Sequence, residues 1–188
     1  MEQNNSNKFL LMVVGVIALI VVVAGSTFAW YTWTSTATTD DTTINFTASG
    51  LTDCITYNYT APSTTTLTPV SAKTSGTVAT ISVSSACPQT TVYVTFQMTP
   101  TTLDAGLKHS SVKYELMQGA TSLATGSFTG LTQGTATTLG TAQAITTGAA
   151  AKTYTLYLWI DGSVTNPSSL YSQNYAMSIV ANATDQPS

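Results

Sequence analysis

An uninterrupted apolar run, FLLMVVGVIALIVVVAGSTFA at residues 9–29, governs what the rest of this chain can be. It holds no charge and no strongly polar group before Ser26 and Thr27. A run of about 20 apolar residues is long enough to span a bilayer as a helix. It follows Lys8, the sole basic side chain among the first 70 residues, and ends on Thr27-Phe28-Ala29. The expectation is one N-terminal hydrophobic helix, with the remainder delivered across a membrane and working outside the cytosol.

Two readings of residues 1–29 follow: a cleaved signal peptide or a retained anchor. For cleavage, the apolar core only slightly exceeds the usual signal core of about 7–15 residues. Ala29 also supplies the small residue needed before a scissile bond to Trp30. A signal peptidase is then a partner during export, and residues 9–29 contact the membrane until the cut. For retention, the basic region is thin, with Lys8 and the α-amine opposed by Glu2. Trp30, Tyr31 and Trp33 would also suit the interfacial aromatic belt of a spanning helix.

Beyond this segment the chain is long enough for one domain of ordinary size. Charged residues make up 7% of the sequence, against about 25% in a typical globular protein. Arginine is absent, and Thr and Ser carry the polarity. Disorder usually accompanies high charge and few β-branched or aromatic residues. Here Val, Ile, Thr, Tyr and Trp are abundant, which fits pleated sheet surfaces. A surface of hydroxyls suits a wall-exposed, fibre-forming or glycosylated protein. The net charge of −3 and the scattered Lys73, Lys108, Lys113 and Lys152 argue against a nucleic-acid partner, because phosphate recognition needs clustered Lys and Arg.

Cys54 and Cys87 are the only cysteines. In an exported domain an even count reads as a disulfide. Closing a loop of about 34 residues would contribute about 3–4 kcal/mol in the chain-entropy description. The alternative is two free buried thiols. A metal site finds no support, since no His or third Cys lies nearby in the sequence, and no cofactor is expected.

Strand patterns fill residues 42–188. TINFTASGL places Ile44 and Phe46 on one face, and CITYNYT alternates Ile55, Tyr57 and Tyr59. TVATISVSSA and TTVYVTFQM follow, the second an inner strand with Val92, Val94 and Phe96 on one face. SVKYELMQG and TSLATGSFTG read as a hairpin around Gly119. Residues 132–148 give two short small-residue strands. TYTLYLWID reads as a central strand, and NYAMSIVANAT closes the domain. Residues 63–76 read as a loop or weak edge strand, and residues 103–111 as a connection with a helical turn. Nine to eleven strands with turn signals between them indicate an all-β, antiparallel β-sandwich, jelly-roll-like.

Nothing selects a catalytic centre, and the chain is expected not to be an enzyme. His109 is the only histidine, and acid–base catalysis needs an oriented partner. HExxH and GxSxG are both absent. The carboxylates offer no selected pair for glycoside hydrolysis. Asp40, Asp41 and Asp161 read as turn residues, which bond their own backbone, rather than calcium ligands.

Three N-x-Thr sequons begin at Asn45, Asn58 and Asn182. They matter in a host that glycosylates asparagine. Asn45 and Asn58 fall in expected strands, which makes them weaker acceptors.

The segment at residues 30–41 suggests a mechanism. Its first part, Trp30, Tyr31, Thr32, Trp33, Thr34, Ser35, Thr36 and Ala37, is aromatic and β-branched, without Pro, Gly or charge. Such a stretch is an aggregation hazard in water and needs a sheet edge. It could pair within its own domain. It could instead add to a neighbouring copy as a donor strand, with backbone bonds giving affinity and alternate side chains filling pockets. Tyr31 and Trp33 on one face, or Trp30 on the other, are the anchors. Repeated head to tail, a contact that does not close builds a filament. Cleavage after Ala29 would release the segment and trigger assembly.

The stretch AGSTFAWYTWTSTATTDDTTINFTASGL resembles the N-terminal signature of the TasA/camelysin family of biofilm matrix fibre subunits. Members carry an apolar export segment ending in Gly/Thr/aromatic/Ala, an aromatic immediately after, a short spacer and an FxxGxL-like first strand, which Phe46-Thr47-Ala48-Ser49-Gly50-Leu51 resembles with its Gly one position later. The tail Ile179-Val180-Ala181-Asn182-Ala183-Thr184-Asp185-Gln186 is similar to the family's closing strand, and archaeal bundling pili resemble the same family. The resemblance implies a jelly roll, a dedicated signal peptidase and a homopolymer built by donor-strand exchange. The likeness covers roughly the first 50 and last 15 residues. This chain departs from it in its weak basic region, its scarcity of Lys and Asp, and its two Cys. Camelysins are linked to proteolysis, which no metal motif here supports. Two other classes remain open: a membrane-anchored surface or virion sandwich that keeps residues 1–29, and a carbohydrate-binding sandwich using exposed Tyr and Trp.

Overall fold

The computed structural model describes residues 43–163, 168–170 and 172–187. The expected export helix at residues 9–29, the cleavage point Ala29/Trp30 and the candidate donor strand at residues 30–37 lie outside the described residues. Eleven strands make up the β-sandwich: β1 (Thr43–Gly50), β2 (Ile55–Thr60), β3 (Pro69–Val70), β4 (Thr77–Ser85), β5 (Thr91–Leu103), β6 (Val112–Gln118), β7 (Thr121–Ser127), β8 (Thr137–Thr138), β9 (Gln143–Thr146), β10 (Lys152–Asp161) and β11 (Tyr175–Thr184).

One sheet runs β1-β11-β5-β8, with β9 also on β5. The other runs β2-β4-β10-β6-β7, with β3 also on β10. Setting β4 and the two-residue β3 aside, the chain alternates between sheets in the manner of a jelly roll: β1, β2, β5, then β6–β7, β8–β9, β10, β11. Most pairs are antiparallel, as expected. Two are parallel: β1 with β11 and β3 with β10. The insertion of β4 between β2 and β10 explains the first. It adds one strand reversal, so the arch into β2 begins from a β1 that runs with β11.

Period-2 patterning drives the two layers together. Along β5, Val92, Val94, Phe96 and Met98 are buried while Thr91, Tyr93, Thr95 and Gln97 are half-exposed. β10 does the same with Tyr154, Leu156, Leu158 and Ile160. These inner faces meet in one core, where the Phe96 and Tyr154 rings lie 4.6 Å apart between the sheets. Each fully buried side chain of this size contributes about 1.5–3 kcal/mol from the removal of apolar surface from water. Both strands are central in their sheets, as the sequence suggests.

Pro100 sits within β5. It has no N–H to give the ladder, and the β5–β11 register shifts there, so that Met177 opposes Pro100 while Ala176 opposes Thr102. The β6–β7 hairpin turns at Gly119, whose φ of +57° is favourable only without a side chain.

Candidate strand-acceptor edge

The candidate edge is built from β1 and β2. Among the described residues each is an outermost strand, one in each sheet, and the two are joined by a four-residue arch. Gly50 begins the arch with φ +79°. Any Cβ there would meet the Ala183 carbonyl oxygen at 2.0 Å. The Leu51 N–H donates to Ala183 O, the Ile55 N–H to Leu51 O, and the Ala86 N–H to Cys54 O. The Cys54–Cys87 disulfide, with Cα atoms 4.8 Å apart, pins the arch to the end of β4. The disulfide reading therefore holds.

These bonds fix which backbone groups face outward. In a parallel ladder alternate residues face the neighbour. Leu51 bonds β11, so the odd residues of β1 face β11. The N–H and C=O groups of Ile44, Phe46 and Ala48 therefore face the side without a strand among the described residues. By the same alternation, Cys54 and the even residues of β2 face β4, and Tyr57 and Tyr59 turn their backbone groups to the open side.

The inward side chains of the two edges form an aromatic seam. Phe46 stacks on Tyr59 with centroids 5.2 Å apart and planes at 15°, and meets Tyr57 at 5.8 Å. The Tyr59 hydroxyl donates to Ile44 O at 3.0 Å and caps the N-terminal end of the β1 edge. Phe46, Tyr57 and Tyr59 remain only partly buried. The Tyr57 hydroxyl is shielded from solvent without a hydrogen-bond partner, and desolvation pushes its pKa up to about 12. A buried hydroxyl without a partner costs about 1–3 kcal/mol.

Edge strands are usually blunted by charge, proline or a bulge. β1 and β2 contain neither a charged residue nor a proline, and their registers with β11 and β4 are unbroken. The opposite side of the sandwich is managed differently. There β8 and β9 have two and four residues. Gly140 packs so closely on β7 that a Cβ would lie 2.7 Å from Leu123 O.

The other sequence candidates have structural roles or lie apart. His109 Nδ1 is 2.8 Å from Ser111 Oγ and accepts the Ser111 N–H, closing a local turn. Asp161 accepts from Lys113 Nζ at 2.6 Å and from the Ser163 N–H and hydroxyl. The Lys113 bond and then the Ser163 bonds hold its pKa down to about 2. Asp40 and Asp41 lie outside the described residues. The outward aromatics Tyr157 and Trp159 are half-buried, and Lys73 Nζ roofs Tyr157 at 5.5 Å from the ring centroid while bonding Glu115 at 2.7 Å. Asn45 and Asn58 are exposed, and Asn182 is half-buried.

The chain matches no protein-family model, no curated protein and no solved structure.

Proposed function

We propose that this chain is an exported, non-enzymatic structural subunit that polymerises by strand addition into extracellular fibres or pili. In this reading residues 30–37 of one copy, freed by cleavage after Ala29, lie along the β1 edge of the next. The observation that carries the proposal is the pair of unguarded edges, β1 and β2, flanking a half-open aromatic seam on one side of the sandwich. Within the eight residues of β1, the outward backbone groups of Phe46 and Ala48 offer partners to an extended segment of similar length. Tyr31 and Trp33 supply side chains of the size that fills such a seam, and Tyr57 supplies a hydroxyl that lacks an acceptor. Each copy carries one donor and one acceptor, so the contact is head-to-tail and grows without closing.

The test is deletion of residues 30–37 in the native host, with electron microscopy of surface material and N-terminal sequencing of the intact protein. The proposal expects a mature start at Trp30, filaments in the parent and folded monomers in the deletion. Detergent-dependent material that still begins at Met1, without filaments, overturns it and leaves an anchored surface protein. Filaments that persist in the deletion overturn the donor assignment.

A further inference from the structure

We propose that Asn45 and Asn58 are N-glycosylation sites whose glycans guard the two open edges of the sandwich, and that the third sequon, at Asn182, stays unmodified. The inference rests on the export argued above and adds a modification to it.

The first observation is the distribution of the sequons. One lies on each unguarded edge strand: Asn45-Phe46-Thr47 on β1 and Asn58-Tyr59-Thr60 on β2. The third, Asn182-Ala183-Thr184, lies on β11, which is flanked by β1 and β5.

The second is accessibility. Residues i and i+2 of a strand share a face, so each Asn and its Thr point the same way. Asn45, Thr47, Asn58 and Thr60 are all exposed. Asn182 is half-buried and its Oδ1 accepts from Ser49 Oγ at 3.1 Å. Its Thr184 hydroxyl is turned to Gln186 O at 2.7 Å. Extended strand backbone is a poor acceptor conformation when both sides are paired. An edge strand can leave its ladder from one side only, so β1 and β2 give a transferase access that β11 does not.

The third is need. These edges lack the charge, proline or bulge that ordinarily keeps a sheet edge from pairing with foreign strands. A bulky hydrated glycan does the same work. Both Asn side chains point to outer faces, away from the inward seam of Phe46, Tyr57 and Tyr59. In β1 the Asn45 backbone faces β11. A glycan there overhangs the sheet face and leaves the edge groups of Phe46 and Ala48 open to one extended segment.

The covalent step forms a bond between Asn Nδ2 and C1 of the first sugar of a polyisoprenyl-phosphate-linked oligosaccharide. The C1–O bond to phosphate breaks, the lipid phosphate leaves, and the amide gives up one proton.

The test is intact-mass and glycopeptide analysis of the full-length gene product recovered from its native host, with Asn45→Gln, Asn58→Gln and Asn182→Gln. Thr47→Ala and Thr60→Ala abolish each edge sequon while keeping its asparagine, in case a Gln variant misfolds. The expected result is two glycan increments in the parent. One is lost in each edge variant, by either substitution, and none in Asn182→Gln. An unmodified parent mass, or glycan carried at Asn182 alone, overturns the proposal. Filaments are scored separately. Filaments of unmodified mass overturn only the glycan assignment, and glycosylated material without filaments overturns only the fibre reading.

Discussion

Gly50→Ala tests the close approach of the β1–β2 arch to β11. Two costs combine at this position. Gly50 has φ +79°, and an L-residue in the left-handed region costs about 1–2 kcal/mol. The new Cβ would also lie 2.0 Å from Ala183 O and 2.8 Å from Asn182 Oδ1. The nearer atom is backbone of β11, so rotating a side chain gives no relief. Separating the strands there breaks the Leu51 N–H bond to Ala183 O, at about 1 kcal/mol net and more if either group stays buried. The total is about 3 kcal/mol, which for a domain of this size lowers Tm by roughly 6–12 °C. Gly119→Ala is the control. Its φ is +57°, but a Cβ there meets nothing within 4 Å, so only the conformational cost of about 1–2 kcal/mol applies. The assay is urea unfolding of both variants beside the parent. Equal losses at the two glycines would refute the close approach of Gly50 to β11.

Three further outcomes follow from particular side chains. Tyr154→Phe is expected to leave stability unchanged or raise it by up to about 1–3 kcal/mol in calorimetry, since the Tyr154 hydroxyl is fully buried without a partner; a clear loss would mean the hydroxyl is satisfied. Replacing Cys54 and Cys87 together by Ser is expected to cost about 3–4 kcal/mol in urea unfolding, and an unchanged midpoint would contradict the closed loop. Asp161 holds its proton less tightly folded than unfolded, with a pKa of about 2 against an ordinary value of about 4. Its contribution is therefore present above pH 4 and fades as pH falls toward 2. Asp161→Asn should flatten that part of the stability–pH curve, modestly because the pair is partly exposed and screened.

The sandwich was legible because its signals are local. Alternation in β4, β5, β10 and β11 marks an inner face on each, and Gly119 marks a hairpin without reference to anything distant. The Cys54–Cys87 pair needed only the even count of two cysteines and the expectation of export. What could not be read is long-range. TINFTASG looks like any half-buried strand, and nothing in it says that its partner is the parallel β11, more than 120 residues away. Edge status has the same origin: nothing local to Asn45 or Asn58 says that the described residues leave one side of each strand unpaired. Lys73 over Tyr157 and Tyr59 on Ile44 are likewise contacts between segments whose spacing carries no period. Residues 30–37 have strand propensity in the sequence, and they lie outside the described residues.

Hydrogen exchange at the β1 edge tests the central claim most directly. The Phe46 and Ala48 amides face the side with no strand among the described residues, so in isolated monomers they should exchange rapidly, while those of Asn45, Thr47 and Ser49, which face β11, stay protected. On assembly, strand addition predicts that Phe46 and Ala48 become protected to the level of their odd-numbered neighbours. Filaments in which Phe46 and Ala48 still exchange as fast as in the monomer would contradict the account.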